Sequence, residues 1–352
     1  MKPVAHIHAI GTAVPDHDVH HAFVDWATSR LTDRREQALF RRMATRSGID
    51  HRYSVLPRGA DGGSPIEAGG FYEGGHMPPT SERMTVYARA APELALEAID
   101  ALAEQVALDG ITHLVVASCT GFVAPGIDQI IAARLGLSPT VERTLVGFMG
   151  CYAAVAALRV AHHIARSEPE ARILVVTVEL STLHLQPATS VEPLLAMLQF
   201  ADGAAAALVS AEPKGISVSD FFAATLPDSD DLIRWTIGDG GFEMHLSGEV
   251  PGRIAQALAD PDLLPRRGGN NVWAVHAGGR SILDAVEHGL ELTQDALAAS
   301  RAVLKRYGNM SSATLMFVLA LLMAGGPIGD GVALAFGPGL AAEGFHFASV
   351  GT

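Results

Sequence analysis

The chain has 352 residues, of which 49% are hydrophobic and 18% charged, and 38 acidic side chains outweigh 25 basic ones for a formal net charge of -13. So much interior with so little solvated decoration suits one large domain or two intimately packed halves. A net acidic surface argues against nucleic acid or an anionic membrane as the main partner, because either wants a basic face, so any anionic ligand must be met by a local basic patch. Two cysteines, Cys119 and Cys151, are too few for a disulfide framework. The opening residues Met1-Lys2-Pro3-Val4-Ala5-His6 lack the apolar stretch of a signal peptide, which makes a cytoplasmic location the expectation. The longest apolar run, 313–324, is too short to span a bilayer and is expected to be a helix buried on all sides.

In chain order, 4–10 reads as a strand and 11–15, Gly-Thr-Ala-Val-Pro, as a turn. An arginine-rich helical stretch is predicted over 23–46. Its end, Phe40-Arg41-Arg42-Met43-Ala44-Thr45-Arg46, is the densest basic cluster of the chain, either a solvated helix face or the landing place of a phosphate-bearing ligand. Residues 57–79 are rich in Gly, Pro and Ser and read as a loop that could cover a site. An alanine-rich helix over 81–106 leads to 112–118, an apolar run of strand length that ends on Cys119-Thr120-Gly121 and suits a strand covered on both faces. A helix near 127–135 follows. Then Gly147-Phe148-Met149-Gly150-Cys151 reads as a strand end, a tight glycine turn and a cysteine opening a helix that runs to about residue 166. A thiol there sits on the positive end of the helix dipole, where orphan N–H groups favour thiolate, although a cysteine taken alone is more often a small buried apolar residue. A second buried strand over 172–178, Asp202-Gly203 and the run 204–210 close this half.

The rest of the chain repeats the layout. Residues 271–275 form a strand ending on His276, with Gly278-Gly279 and a helix after it, as 114–118 ends on Cys119. Gly308-Asn309-Met310-Ser311-Ser312 opens a helix much as the Gly150-Cys151 turn does, and 332–336 answers 173–178. Two related α/β halves, 1–211 with the cysteine and 212–352 with the histidine and asparagine, would face each other across a pseudo-dyad and bring Cys151, His276 and Asn309 to one site. A thiolate there could attack a thioester carbonyl while His and Asn donors cradle an oxyanion. A Cys-His-Asn set also serves papain-type hydrolases, but the Gly-Ser-Cys-Trp type motif of that class is absent, so a cysteine on a helix tip in a duplicated fold points to thioester carbon–carbon chemistry.

Six stretches, in order, carry a family likeness. They are Cys119-Thr120-Gly121 with Pro125-Gly126-Ile127-Asp128, the Gly150-Cys151 turn, Phe200-Ala201-Asp202-Gly203-Ala204-Ala205-Ala206, Val275-His276-Ala277-Gly278-Gly279, Gly308-Asn309-Met310-Ser311-Ser312-Ala313 and Phe336-Gly337-Pro338-Gly339-Leu340. Over nearly its whole length the sequence resembles the chalcone synthase family, the type III polyketide synthases, and its 81–91 region is closer to bacterial members. The resemblance implies a thiolase-type fold of αβαβα layers, a homodimer, acyl-CoA and malonyl-CoA as substrates, and no metal or organic cofactor besides their coenzyme A.

Carried over by resemblance, Cys151 accepts the starter acyl group and His276 keeps it as thiolate. His276 and Asn309 bind the malonyl thioester oxygen, and the enolate left by decarboxylation attacks the Cys151-bound acyl group in a Claisen condensation. Phe200 matches the gatekeeping phenylalanine, while Arg42 and Arg46 fall where the family places cations for the coenzyme A phosphates. Cys119, His184, Trp235, Met244 and Ser311 would line the cavity, with core packing as the alternative for each. Departures from the plant enzymes are Met244 for the second gate phenylalanine, Ala124 for a methionine that reaches into the partner subunit, and Ala153-Ala154 for a glycine after the nucleophile. A bulky Trp235 shrinks the pocket while a flexible Met244 opens it. These two changes pull in opposite directions and leave the substrate open, with an alkylpyrone or alkylresorcinol from a fatty acyl starter as the first expectation and a malonyl-only product of the tetrahydroxynaphthalene or phloroglucinol kind as the second. A priming ketoacyl-ACP synthase and a non-catalytic acyl-binding protein are the rivals. The fifteen histidines, with His6-Ile7-His8, His17 and His20-His21 among them, assemble no ligand set with Cys or carboxylate, so no metal is expected.

Overall fold

The computed structural model describes residues 3–260, 272–293 and 295–351. The first half runs β1 (Ala5–Ala13), β2 (His17–Asp18), α1 (His20–Arg30), α2 (Arg34–Arg46), β3 (Tyr53–Ser54), α3 (Thr80–Ala103), β4 (His113–Ser118), α4 (Ile127–Arg134), β5 (Glu142–Gly147), α5 (Ala153–Ser167), β6 (Ile173–Leu180), α6 (Val191–Met197) and β7 (Asp202–Ser210). The second half runs β8 (Ile216–Thr225), β9 (Ile233–Gly238), β10 (Gly241–Leu246), α7 (Val250–Ala259), β11 (Val272–Val275), α8 (Arg280–Gly289), α9 (Ala298–Tyr307), α10 (Ala313–Ala324), β12 (Gly331–Gly337) and β13 (Ala341–Ser349).

The strand order β11-β12-β13-β8-β1-β7-β6-β4-β5 contains the duplication. Parallel β4 and β6 followed by antiparallel β7 and β1 in one half are answered by parallel β11 and β12 followed by antiparallel β13 and β8 in the other. The sheets of the two halves are joined at one edge, because β1 also pairs with β8 from Ala5↔Val218 to Ile7↔Ile216. Helices α5 and α10 touch each other and form the middle layer, packed against strands of both halves, while α3 and α4 cover the outer face of one half and α7 to α9 that of the other. This is the α-β-α-β-α stacking expected for the fold class. The small side chains of Ala153, Ala154, Ala157 and Ala161, all fully buried, let α5 lie close to the sheet.

Several boundaries differ from expectation. Gly11, Thr12 and Ala13 continue β1 rather than turning, paired with Ala206, Ala205 and Ala204 of β7. A Cβ at Gly11 would stand 2.2 Å from the Leu102 nitrogen, so this glycine answers a close helix–sheet contact. The single helix expected over 23–46 is two: Leu31 is extended, and the Asp33 carboxylate caps α2 by accepting from the Arg35 and Glu36 N–H groups. The strand expected over 172–178 extends through Glu179 and Leu180. That expected over 271–275 starts at Val272, Asn271 lying outside the described residues. Only Ala313–Leu319 of α10 is buried; its last turn reaches the surface, where Leu321 is exposed. No helix among the described residues is long and apolar enough to cross a membrane.

Candidate active site

The cysteine turn is shaped by backbone. After β5 the chain enters the left-handed region at Phe148 (φ 57) and Gly150 (φ 75). A Cβ at Gly150 would lie 2.3 Å from Pro338 Cδ, so glycine there lets the Phe336-Gly337-Pro338-Gly339 loop close over the turn. Cys151 sits in a short 3-10 turn, Gly150–Tyr152, immediately before α5. Ala153 and Ala154 continue into a regular helix, so the departure from glycine leaves the turn intact.

One strand end and one helix–helix connection deliver the other two groups. His276 follows β11, and its N–H donates to Leu334 O at 2.8 Å, holding it to β12. Asn309 lies between α9 and α10 and is tied to the Phe200 segment: its N–H donates to Gln199 O at 2.8 Å and its O accepts from Ala201 N at 2.9 Å. The His276 Nε2 is 3.2 Å from Asn309 Oδ1, which also accepts from the Ser311 N–H at 2.9 Å. The Asn309 Nδ2 donates to Gly278 O at 3.2 Å. Assigned from this network, Nε2 carries the ring proton and Nδ1 is buried without a partner. The Cys151 sulfur meets the Ser311 and Asn309 side chains. Cys151, His276 and Asn309, with Cys119, Phe200, Trp235, Met244 and Ser311, line one cavity of about 50 Å³.

Burial sets the protonation states. It pushes the Cys151 thiol up to about 12, with hydrogen bonds from Ser311 and Asn309 pulling down and the Glu179 charge pushing up. The same burial lowers His276 to about 4 against the pull of Asn309. The site therefore holds a thiol and a neutral imidazole, where the helix tip predicts a standing thiolate. The dipole is worth at most about 2 kcal/mol, and the loss of water around the sulfur outweighs it.

Burial also lowers His184 to about 4, and His20 and His162 likewise. In each case the unfolded chain binds a proton that the fold refuses, so stability is complete above about pH 6.5 and is lost as the pH falls towards about 4. His184 and His276 each contribute about 1.4 kcal/mol per pH unit over that window. Asp202, raised to about 6 by burial, works the other way below that pH and offsets about one of these histidines. Thermal unfolding followed by circular dichroism is expected to show a melting temperature that drops steeply below about pH 6.5; a flat profile would contradict neutral burial of these rings.

The wall residues are also held. His184 Nε2 is 2.7 Å from Thr120 O, its Nδ1 accepts from the Phe242 N–H at 3.0 Å, and its ring stacks on Phe242 at 4.1 Å. Trp235 on β9 donates from Nε1 to Cys119 O at 2.9 Å and stands opposite Met244 on β10. Sequence reasoning missed Glu179. Its fully buried carboxyl accepts from Cys119 N–H at 3.0 Å, Thr120 Oγ1 at 2.9 Å and Ser312 Oγ, and lies 3.3 Å from Cys119 Sγ, which is in turn 3.2 Å from Ser311 Oγ. The signal available was one acid inside an otherwise apolar strand.

One space shares a wall with the cavity, and a second is lined by chain neighbours of its wall residues. Ser181, Phe200, Trp235 and Met244 also line a chamber of about 470 Å³ that extends to Ala22 and Phe23 of α1, Leu56, Ile66, Tyr72 and Ala188. On another side, Met43, Arg46, Gln199, Gly279 and Arg280 line a surface groove of about 420 Å³. Arg46 borders the groove; Arg42 is exposed one turn earlier on α2 without lining it. Arg280, which sequence reasoning did not single out, donates to Arg46 O at 3.2 Å. Among the described residues no group of His, Cys, Asp and Glu side chains could hold a metal ion.

Comparison with known proteins agrees with this architecture. Residues 1–213 match the family model of chalcone and stilbene synthases, N-terminal domain, and residues 219–351 match the C-terminal domain. The alpha-pyrone synthesis polyketide synthase-like Pks18 of Mycobacterium tuberculosis is 36% identical over 251 residues, covering 66% of this chain and 64% of that protein. Bisdemethoxycurcumin synthase of Oryza sativa subsp. japonica is 34% identical over 97% of this chain and 91% of its own length. The crystal structure of PKS-I from the brown alga Ectocarpus siliculosus superposes with a TM-score of 0.88 at 30% identity, covering 99% of both chains.

Proposed function

The chain belongs to the chalcone and stilbene synthase family, the type III polyketide synthases, and from that membership we propose that it is an acyltransferase that builds a polyketide from coenzyme A thioesters without a further cofactor. In the proposed cycle Cys151 Sγ attacks an acyl-CoA carbonyl, its proton passes to the unprotonated nitrogen of the neutral His276 imidazole and from there to the departing sulfur, and coenzyme A leaves as the thiol. Malonyl-CoA then enters with its thioester oxygen towards His276 and Asn309. Loss of carbon dioxide leaves an enolate whose oxygen these donors stabilise, and its carbon attacks the acyl carbon, expelling the Cys151 sulfur. The apolar face of Phe200 beside the malonyl carboxylate favours the neutral product over the anion. Arg46 and Arg280 at the groove, with Arg42 outside it, supply cations for the coenzyme A phosphates.

The observation that carries this reading is the meeting of Cys151, His276 and Asn309 on one buried cavity that shares four wall residues with a large chamber. The cavity alone is too small for a growing polyketide. At roughly 30 Å³ per water-sized group the chamber holds on the order of fifteen such groups, and most of its wall is apolar. A medium-to-long fatty acyl starter fits that space, and the relative named for alpha-pyrone synthesis supports an alkylpyrone as the product, with an alkylresorcinol next. Homodimerisation belongs to the same reading. Strand β5 ends the sheet with every residue but Val146 exposed, and its Leu145 and the nearby Phe122 are each 44% exposed, a hydrophobic edge that a second copy would cover.

Incubation with malonyl-CoA and starters from acetyl to palmitoyl, with products identified by mass, tests the function. Triketide and tetraketide pyrones or resorcinols from the longer starters are expected. Ala22→Phe, which fills the chamber far from Cys151, is expected to lower kcat/KM for long starters by about tenfold and leave acetyl unaffected. An unchanged chain-length profile would place the acyl chain elsewhere. Product from malonyl-CoA alone, whatever the starter, would favour the malonyl-only synthase. Use of malonyl-ACP but not malonyl-CoA would favour the priming ketoacyl-ACP synthase.

A further inference from the structure

Helix α2 carries more positive charge than a coenzyme A site requires. It holds Arg34, Arg35, Arg41, Arg42 and Arg46 against the single acid Glu36, all five arginines are exposed, and the chain as a whole, this helix included, has a net charge of -13. Phe40 and Ala44 anchor the helix inward, which leaves Arg35, Leu39, Arg42, Met43 and Arg46 along one outward face at helical spacing. Leu39 and Met43 are 36% and 41% exposed there. Among the described residues the ion pair made by these arginines is Arg41 with Asp25, at 3.5 Å and on the surface. Met43 and Arg46 reach the groove, but Arg34 and Arg35 lie eleven to twelve residues earlier, about 17 Å along the axis. A nucleotide held at Arg46 and Arg280 does not span that distance.

We propose that α2 is the docking face for an acidic acyl carrier protein, which delivers the starter on its phosphopantetheine arm through the groove. The proposal rests on the acyl-loading role given to Cys151 above. Carrier and coenzyme A share the same arm, so the groove serves both, and what stands outside it differs. Arginine interleaved with exposed Leu and Met is the composition of a protein interface, and an acidic partner finds its complement here and repulsion over the rest of the chain. A lipid surface is the poorer fit, because the apolar side of α2 is turned into the fold and the overall charge opposes an anionic bilayer. In the transfer the Cys151 Sγ–acyl bond forms, the carrier's thioester C–S bond breaks, and the carrier thiol leaves with the proton that Cys151 gave up.

The test compares decanoyl-CoA with a decanoyl-loaded bacterial acyl carrier protein as donors to Cys151, read by intact-protein mass at low and high salt. Arg34→Glu with Arg35→Glu is the variant of choice, since acids in the first turn suit the helix dipole and the fold is kept. The carrier is expected to acylate the wild type at a rate that falls with salt, and the double variant to lose about tenfold with the carrier while its rate with decanoyl-CoA is unchanged. A carrier donor that is inert while decanoyl-CoA works, or a variant that slows both donors equally, overturns the proposal. So does binding to anionic vesicles that the double variant abolishes without any effect on the carrier reaction. Failure of both donors overturns the loading role of Cys151 and the docking face with it.

Discussion

A Cys151→Ala variant is expected to fold, to retain malonyl-CoA decarboxylation and to form no polyketide with any starter. Removing one buried sulfur atom costs about 1 kcal/mol of stability, within the tolerance of a chain with this much core. Product formation should fall by more than about 10⁴-fold, because the covalent route is removed rather than weakened. Decarboxylation is expected to persist because its donors come from the other half, His276 after β11 and Asn309 before α10. The measurement is paired: carbon dioxide release from malonyl-CoA and product mass from the same reaction. Polyketide made at a rate near that of the wild type would mean that the acyl group passes directly from coenzyme A to the enolate, and the sulfur would lose its assigned role.

His276→Ala and Asn309→Ala are each expected to lower malonyl-CoA decarboxylation by about 10²- to 10³-fold, the usual cost of one donor to a developing oxyanion. Their side chains are 3.2 Å apart and hold each other, so the losses should combine to less than their product. Asn309→Asp separates charge from shape. The aspartate keeps an acceptor for the Ser311 N–H but places an anion where the enolate oxygen must develop, and decarboxylation should fall at least as far as with alanine. His276→Gln, which keeps an N–H donor, should recover part of the decarboxylation lost in His276→Ala but not the starter loading, since an amide cannot take the thiol proton. A His276→Ala enzyme that decarboxylates at the normal rate would remove the histidine from this step.

The state of the thiol shows where local sequence rules stop. A helix tip lowers a cysteine's proton affinity, and that much follows from the Gly150-Cys151 turn. Here the turn is roofed by Pro338 from β12's end and flanked by Cys119 and Glu179 from the first half, so burial and a buried acid outweigh the dipole. Those neighbours are 28 to 187 residues away in sequence. Trp235 is a similar case. Its bulk was visible as a narrowing of the cavity, but its bond to Cys119 O and its place in the wall shared with the chamber depend on the β9–β10 hairpin.

What the sequence determined by itself was the duplicated α/β layout and the identity of the three polar groups. Both are written in short-range patterns: apolar runs of strand length, a glycine before a cysteine, and the same punctuation repeated about 160 residues later. The two-helix break at Asp33 is written there too, as a residue type that caps helices. Only the tertiary structure decided the protonation of Cys151 and His276, the four-bonded carboxyl of Glu179, the chamber between α1 and the β9–β10 hairpin, and the pairing of Arg46 with Arg280. Each of these depends on how much water is excluded and on which distant groups arrive within about 3 Å, and a linear pattern carries neither quantity, because desolvation and hydrogen bonding are properties of the packed neighbourhood rather than of the residue.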